Sequence, residues 1–290
     1  MSVQNAPSSP SRVKVPVMAD VAKLAGVSLQ TVSRVLNGHQ WVSDETRAKV
    51  MKAVDSLGYR PNLAARALAS SRSKIIGVVV VNVELFGPSG ALLGIEQAAR
   101  TAGYWVSVAS LPKVGIPELN NAIDHFIDQQ VDAIVVIAPN QLILDAAARV
   151  ERNTPLIAVT AGEIDSGILS TVDFDQELGA RLAMRHLIGL GHTRIAHFSG
   201  PKSEFHSQSR QLGWEKELAA HGLPKGQLYP GDWTGATGYQ LARDLLATGG
   251  ELPTAIFVAN DHAAMGVLRA FGDAGLRVPE DISIVGFDDI

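Results

Sequence analysis

The sequence predicts an all-α helix-turn-helix head followed by an α/β body of two lobes, each a doubly wound parallel sheet. Three observations lead there. Two short helical segments meet at a tight turn between Val17 and Asn37. Basic charge gathers in the first quarter of the chain. From Ile75 onward, β-branched runs alternate with helical stretches.

The head is the most specific part. Asp20–Ala25 carries Val21, Ala22, Leu24 and Ala25 at helical spacing, which predicts one inward apolar face. Gly26 suits the corner, where a side chain would crowd packed helices. Ser28 is a good N-cap for a second helix with Val32, Val35 and Leu36 as its buried stripe. Leu29, Gln30, Thr31, Ser33 and Arg34 are then left facing outward near the helix start. A helix-turn-helix lays that end in the DNA major groove, whereas an ordinary helical hairpin would leave it in water. Ser43 to Leu57 reads as a third helix, capped by Ser43 and ended by Gly58.

Charge favours DNA. The net charge of the whole chain is −4, which alone says nothing about nucleic acid. Between Arg12 and Lys74, however, eleven basic residues face four acids, +7 in that stretch against −11 elsewhere. A basic head on an acidic body suits phosphate neutralisation by the head alone. Residues 1–16 are Ser- and Pro-rich with no apolar core, which predicts a disordered tail rather than a signal peptide. After Tyr59-Arg60-Pro61-Asn62, the segment Leu63–Ala69 has strong helix formers but is too short to be stable alone. It reads equally as an inert spacer or as a segment that folds on DNA, within a hinge and linker spanning 61–73.

The body, 74–290, begins with the buried-strand run Ile75–Val81. Helices are expected at Ser89–Thr101, Pro117–Gln129, Gln141–Arg152, Gln176–Leu190, Ser207–His221, Gly235–Ala247 and Asn260–Ala274. Strands are expected at Trp105–Ala109, Val131–Ile137, Leu156–Thr160, Arg194–Phe198, Ala255–Val258 and Ser283–Phe287. Such sheets bind ligands at the carboxyl ends of their strands. Those ends carry Asn82 to Pro88, Pro139, Thr160, Gly200 to Arg210, Asn260-Asp261 and Asp288-Asp289, a polar set suited to a small polar solute.

Composition excludes other classes. The chain has no cysteine, hence no disulfide or thiolate metal site, and no apolar run long enough for a membrane span. Gly189-Leu190-Gly191 lacks the third glycine of a dinucleotide loop, and neither a Walker motif nor a nucleophile elbow is present. Asp261, Asp288, Asp289, His197 and His206 could act as acids or bases, but in such a cleft they suit ligand hydrogen bonding better. The expectation is a protein that is not an enzyme, needs no cofactor or metal, and resides in the cytoplasm.

With these residues in view, the chain resembles the LacI/GalR family of transcriptional repressors from about Val17 to its last residue. The carrying motifs are Asp20-Val21-Ala22 through Ala25-Gly26-Val27-Ser28 to Thr31-Val32-Ser33-Arg34-Val35-Leu36-Asn37, and Gly58-Tyr59-Arg60-Pro61-Asn62-Leu63-Ala64-Ala65-Arg66. Body landmarks are Gly189-Leu190-Gly191-His192, Ser199-Gly200-Pro201, Arg210-Gln211-Leu212-Gly213-Trp214, Gly231-Asp232-Trp233, Ala259-Asn260-Asp261 and Val285-Gly286-Phe287-Asp288-Asp289.

The resemblance implies a periplasmic-binding-protein-like body, a homodimer, double-stranded operator DNA as partner and a small sugar or sugar derivative as effector. It implies base readout by Leu29, Gln30 and Arg34, and phosphate contacts from Ser28, Thr31, Ser33 and Asn37. Gln suits adenine and Arg suits guanine, while Leu29 offers only an apolar contact. Hinge contacts fall to Tyr59, Asn62 and Ala65, with Leu68 as the minor-groove wedge, so the resemblance favours a segment that folds on DNA. In the cleft it assigns Arg210 to sugar hydroxyls, Trp233 to a sugar's apolar face, Asn260 and Asp288 to polar contacts, and Leu85 and Pro88 to the other lobe. Thr160 and His206 stand where a relative binds ligand through other residue types, so the resemblance does not carry over the exact sugar. Family members continue several tens of residues past the Phe-Asp-Asp landmark, so the stop at Ile290 leaves two readings open, a fragment of a longer chain or a shortened gene product, with the family's C-terminal tetramerising helix outside the sequence in either case. The competing expectation is a sugar-binding protein of the periplasmic type with no DNA role.

Overall fold

The computed structural model describes residues 16–39, 41–61, 72–112, 115–150, 153–161 and 169–290. The chain divides into two compact units, Met1–Ser73 and Lys74–Ile290. The expected tail through residue 15, the Leu63–Ala69 helix, and Asn62, Ala65 and Leu68 lie outside the described residues.

In the first unit, α1 (Met18–Ala25), α2 (Leu29–Leu36) and α3 (Asp44–Leu57) pack around Val21, Ala22, Val32, Val35, Val50 and Ala53. Local chemistry sets each boundary. Gly26 ends α1 in the left-handed region at φ 68°, and its N–H donates to Ala22 O. The Ser28 hydroxyl accepts the Thr31 N–H, and Ser43 does the same for Thr46. Gly58 ends α3 at φ 60°.

Two expectations for this unit are corrected. Leu24 is 56% exposed rather than inward. At about 100° per residue, Met18, Val21, Ala22 and Ala25 form one stripe, and position 24 falls well outside it. Tyr59, expected as a surface contact, is buried in the core, its chain held by the bond from its N–H to Val54 O. The αL turn at Gly58 folds it back over α3.

The first lobe of the second unit is a five-stranded parallel sheet of order β2-β1-β3-β4-β5. Its strands are β1 (Ile75–Val81), β2 (Trp105–Leu111), β3 (Ala133–Ile137), β4 (Leu156–Ala161) and β5 (Ser170–Phe174). Helices α4 (Phe86–Thr101), α5 (Ile116–Asp128) and α6 (Gln141–Arg149) complete it. The second lobe carries β6 (Ile195–Ser199), β7 (Leu228–Pro230), β8 (Ala255–Val258) and β9 (Ser283–Val285) in the parallel order β7-β6-β8-β9. Its helices are α7 (Gln176–Gly189), α8 (Phe205–Ala220), α9 (Gly235–Ala247) and α10 (Asp261–Asp273).

Central strands are continuously apolar and buried on both faces, as Val78–Val81 and Ala255–Val258 show. The lobes meet at the start of α8. The Phe205 N–H donates to Pro139 O at 2.9 Å, and the Phe205 ring packs into the first lobe's core. That contact sets the loop after β3 against the start of α8, at the carboxyl ends of β3 and β6. Among the described residues, no helix is long and apolar enough to cross a membrane.

Candidate DNA-recognition surface and effector cleft

The two faces of α2 have opposite environments. Val32 and Val35 are locked in the head core, while Leu29, Gln30 and Arg34 stand exposed on the other side. Ser28 and Asn37 are also exposed, and Thr31 and Ser33 are half-buried. The Ser28 and Thr31 hydroxyls lie 2.9 Å apart, and Asn37 Nδ2 donates to Ser33 Oγ at 3.4 Å. These four polar side chains therefore flank the exposed Leu29, Gln30 and Arg34 as two short pairs. The first N–H groups of α2 sit at the same end as Leu29 and Gln30, where a helix attracts phosphate.

The cleft of the second unit is organised by Arg210 on α8. Its Nε donates to Gln176 Oε1 at 2.8 Å, Nη1 donates to Ala259 O, and Nη2 donates to Asp288 Oδ1 at 2.9 Å. Its guanidinium lies 3.8 Å over the Phe287 ring and 5.5 Å from that of Trp233. Three of five N–H groups are thus taken within the lobe, which fixes the plane of the guanidinium. Burial lowers the Arg210 pKa, with the Asp288 charge pulling it back up. The same burial raises the Asp288 carboxyl above its ordinary value, opposed by Arg210.

Trp233 is held from three directions. Its Nε1 donates to Glu204 Oε2 at 2.7 Å, and its carbonyl accepts from Asn260 Nδ2 at 3.0 Å. Its ring lies against Gly200, where a Cβ would meet ring carbons at 2.5 Å. Asn260 also caps α10, its Oδ1 accepting the Ala263 N–H at 2.9 Å. Both ends of this amide therefore bond within the protein, and one Asp288 carboxylate oxygen likewise bonds Arg210.

His206 is half-buried one turn before Arg210. Burial, and then the Arg210 charge, lower its pKa to about 4, so it is neutral at pH 7. Thr160, at the end of β4, is fully buried, and its Oγ1 has no hydrogen-bond partner among the described residues. Leu85 and Pro88 are half-buried at the start of α4, beyond the carboxyl end of β1. Sequence reasoning missed Glu204, Gln176 and Phe287 as parts of this constellation. The strand-end stretch Gly200 to Arg210 contained Glu204 and the landmark Val285–Asp289 contained Phe287, but neither singled the residue out. Among the described residues, no group of three His, Asp or Glu side chains could hold a metal ion.

Residues 17–62 match the family of bacterial regulatory proteins of the lacI type, and residues 184–290 match a periplasmic binding protein-like domain. The lactose operon repressor of Escherichia coli (strain K12) is 36% identical over 281 residues, 96% of this chain and 76% of that relative. Catabolite control protein A of Priestia megaterium is 35% identical over 93% of this chain and 81% of its own length. Among solved structures, the lac repressor dimer bound to operator and an anti-inducer superposes with a TM-score of 0.85 at 35% identity, covering 96% of this chain and 83% of that one. Identity at this level, over nearly the whole chain, decides the family. The chain belongs to the lacI family of bacterial regulatory proteins.

Proposed function

We propose that this protein is a sequence-specific transcriptional repressor that binds a near-palindromic operator as a homodimer, with operator affinity set by a small sugar in the cleft. The observation that carries this reading is the division of α2 into a core-locked apolar face and an exposed Leu29, Gln30, Arg34 face, in a segment matching the lacI family. Gln30 and Arg34 read base edges, Leu29 makes an apolar contact, and Ser28, Thr31, Ser33 and Asn37 grip phosphates. Asn62, Ala65 and Leu68 extend the contact into the minor groove.

In the cleft, Arg210 offers two donors to adjacent hydroxyls and Trp233 a ring face. His206, Thr160, Leu85 and Pro88 complete the lining. The sugar controls the operator only through a difference in affinity between the two forms of the protein. A protein that acts on chromosomal DNA is expected in the cytoplasm, and relatives of this chain are named as regulators: a lactose operon repressor and a catabolite control protein. The rival reading, a sugar-binding protein with no DNA role, finds no support in a head of this kind.

The test is selection of DNA from a random pool by the full chain, followed by titration of the selected operator. Arg34→Ala is expected to weaken operator binding roughly 10- to 100-fold, the worth of one bidentate base contact, while sugar affinity stays unchanged. Equal affinity of the unaltered protein for selected and scrambled DNA would sink the reading.

A further inference from the structure

The charges around Trp233 and Arg210 bear on which ligands the cleft accepts. Arg210 is the cation at the centre of the site, and its charge is already met by Asp288 at 2.9 Å. Asp261 adds a second carboxylate near enough to act on both groups. His206 brings no charge at neutral pH. Lys202, on the loop before α8, is exposed, where solvent and salt screen it. Against this neutralised centre stands Glu204, half-buried, with Oε2 accepting the indole N–H of Trp233 at 2.7 Å, the bond that orients the ring. Burial raises the Glu204 carboxyl above its ordinary value, and the Trp233 N–H opposes that rise by favouring the carboxylate.

We propose that this cleft takes an uncharged polyol and rejects the anionic counterparts, sugar phosphates and uronates, with Glu204 as the residue that sets the preference. The proposal rests on the sugar-cleft reading above. A sugar lying on the Trp233 face sits beside the Glu204 carboxylate, so a phosphate or carboxylate on that sugar meets a like charge in a partly desolvated site. At a separation of about 6 Å and an effective dielectric near 20, the repulsion amounts to roughly 100-fold in affinity. Arg210 offsets little of it, because its charge is already matched by Asp288. Glu204 is also a positioning residue for Trp233, and glutamine in its place keeps an oxygen to accept the indole N–H while removing the charge.

The test uses the full chain and matched probes, with affinities read by titration calorimetry: glucose against glucose 6-phosphate, and galactose against galactose 6-phosphate and galacturonate. In the unaltered protein the uncharged member of each binding pair is expected to bind at least tenfold more tightly. In Glu204→Gln that ratio is expected to narrow at least tenfold. The ratio is the readout, so a general loss of affinity cancels from it. An anionic probe that binds the unaltered protein as tightly as its uncharged partner overturns the proposal, and so does an unchanged ratio in Glu204→Gln. If no probe binds while the selected operator does, the sugar-cleft reading fails and takes this proposal with it.

Discussion

Arg210 and Asp288 form an ion pair at 2.9 Å with side chains only 7% and 12% exposed, joining α8 to the chain just past β9. The pair sits 78 residues apart in sequence and ties the last described strand to the cleft. Breaking such a pair leaves a buried charge without its partner. Asp288→Asn is therefore expected to destabilise the second unit by roughly 3 kcal/mol, read as a lower urea midpoint, because Gln176 and Ala259 remain as acceptors but the countercharge does not. An unchanged midpoint would show that solvent reaches Arg210.

Gly200 makes room for the Trp233 ring. A methyl group there would stand 2.5 Å from Cη2, inside van der Waals contact. Gly200→Ala is expected to push the indole away from Glu204, costing about 1–3 kcal/mol in stability and at least tenfold in sugar affinity. Equilibrium unfolding and calorimetry on the same preparation separate the two effects. Sugar binding that survives unchanged would place the ligand away from Trp233.

Acid lability is expected from His197. It is fully buried on β6, stacks on Phe257 at 4.6 Å, and bonds through Nδ1 to the Phe257 carbonyl at 2.9 Å. Its Nε2 has no partner among the described residues. Burial lowers its pKa to about 4, against 6.5 in the unfolded chain. The unfolded state thus binds one proton more between these values. Stability is unaffected above pH 6.5, falls as pH drops from 6.5 to about 4, and levels off below, a loss of roughly 3 kcal/mol. His206 adds a slope of the same sign. In His197→Leu the pH dependence of the urea midpoint should become shallower by the equivalent of one proton, and an identical slope would refute the assignment.

Leu29 is 52% exposed, so its truncation should not disturb the head. Leu29→Ala is expected to change melting by less than the equivalent of about 0.5 kcal/mol. Parallel DNA selections should show relaxed preference at one base pair in each half-site, where the lost side chain met a thymine methyl group. Selection of the same site with undiminished preference would remove Leu29 from the readout.

Local chemistry made much of the molecule legible. The caps at Ser28 and Ser43 and the left-handed ends at Gly26 and Gly58 depend on a few adjacent residues, so their identities alone announce the head. The buried strands announce themselves in the same way, because a strand covered on both faces needs a continuous apolar run. Strand β5 escaped notice because Ser170–Phe174 is largely exposed and lacks that run. It is a strand because β4 offers it hydrogen bonds from Ile157 to Ala161. Strand β7 is three residues long and ends in proline, too short for periodicity to register.

Sequence by itself determined the family resemblance, the helix pair, the alternation of strands and helices, and the candidate residues for ligand and DNA. Tertiary structure decided which partners those residues keep. Arg210 draws on Gln176, Ala259 and Asp288, at separations of 34, 49 and 78 residues, and Trp233 on Glu204 and Asn260. Tyr59 and Leu24 exchanged their expected places because burial follows the packing of α1 and α3, not the residue type alone. The physical reason is range: caps and strand propensity act over a few residues, whereas the charge and orientation of a cleft are set by groups that only the folded chain brings within 3 Å.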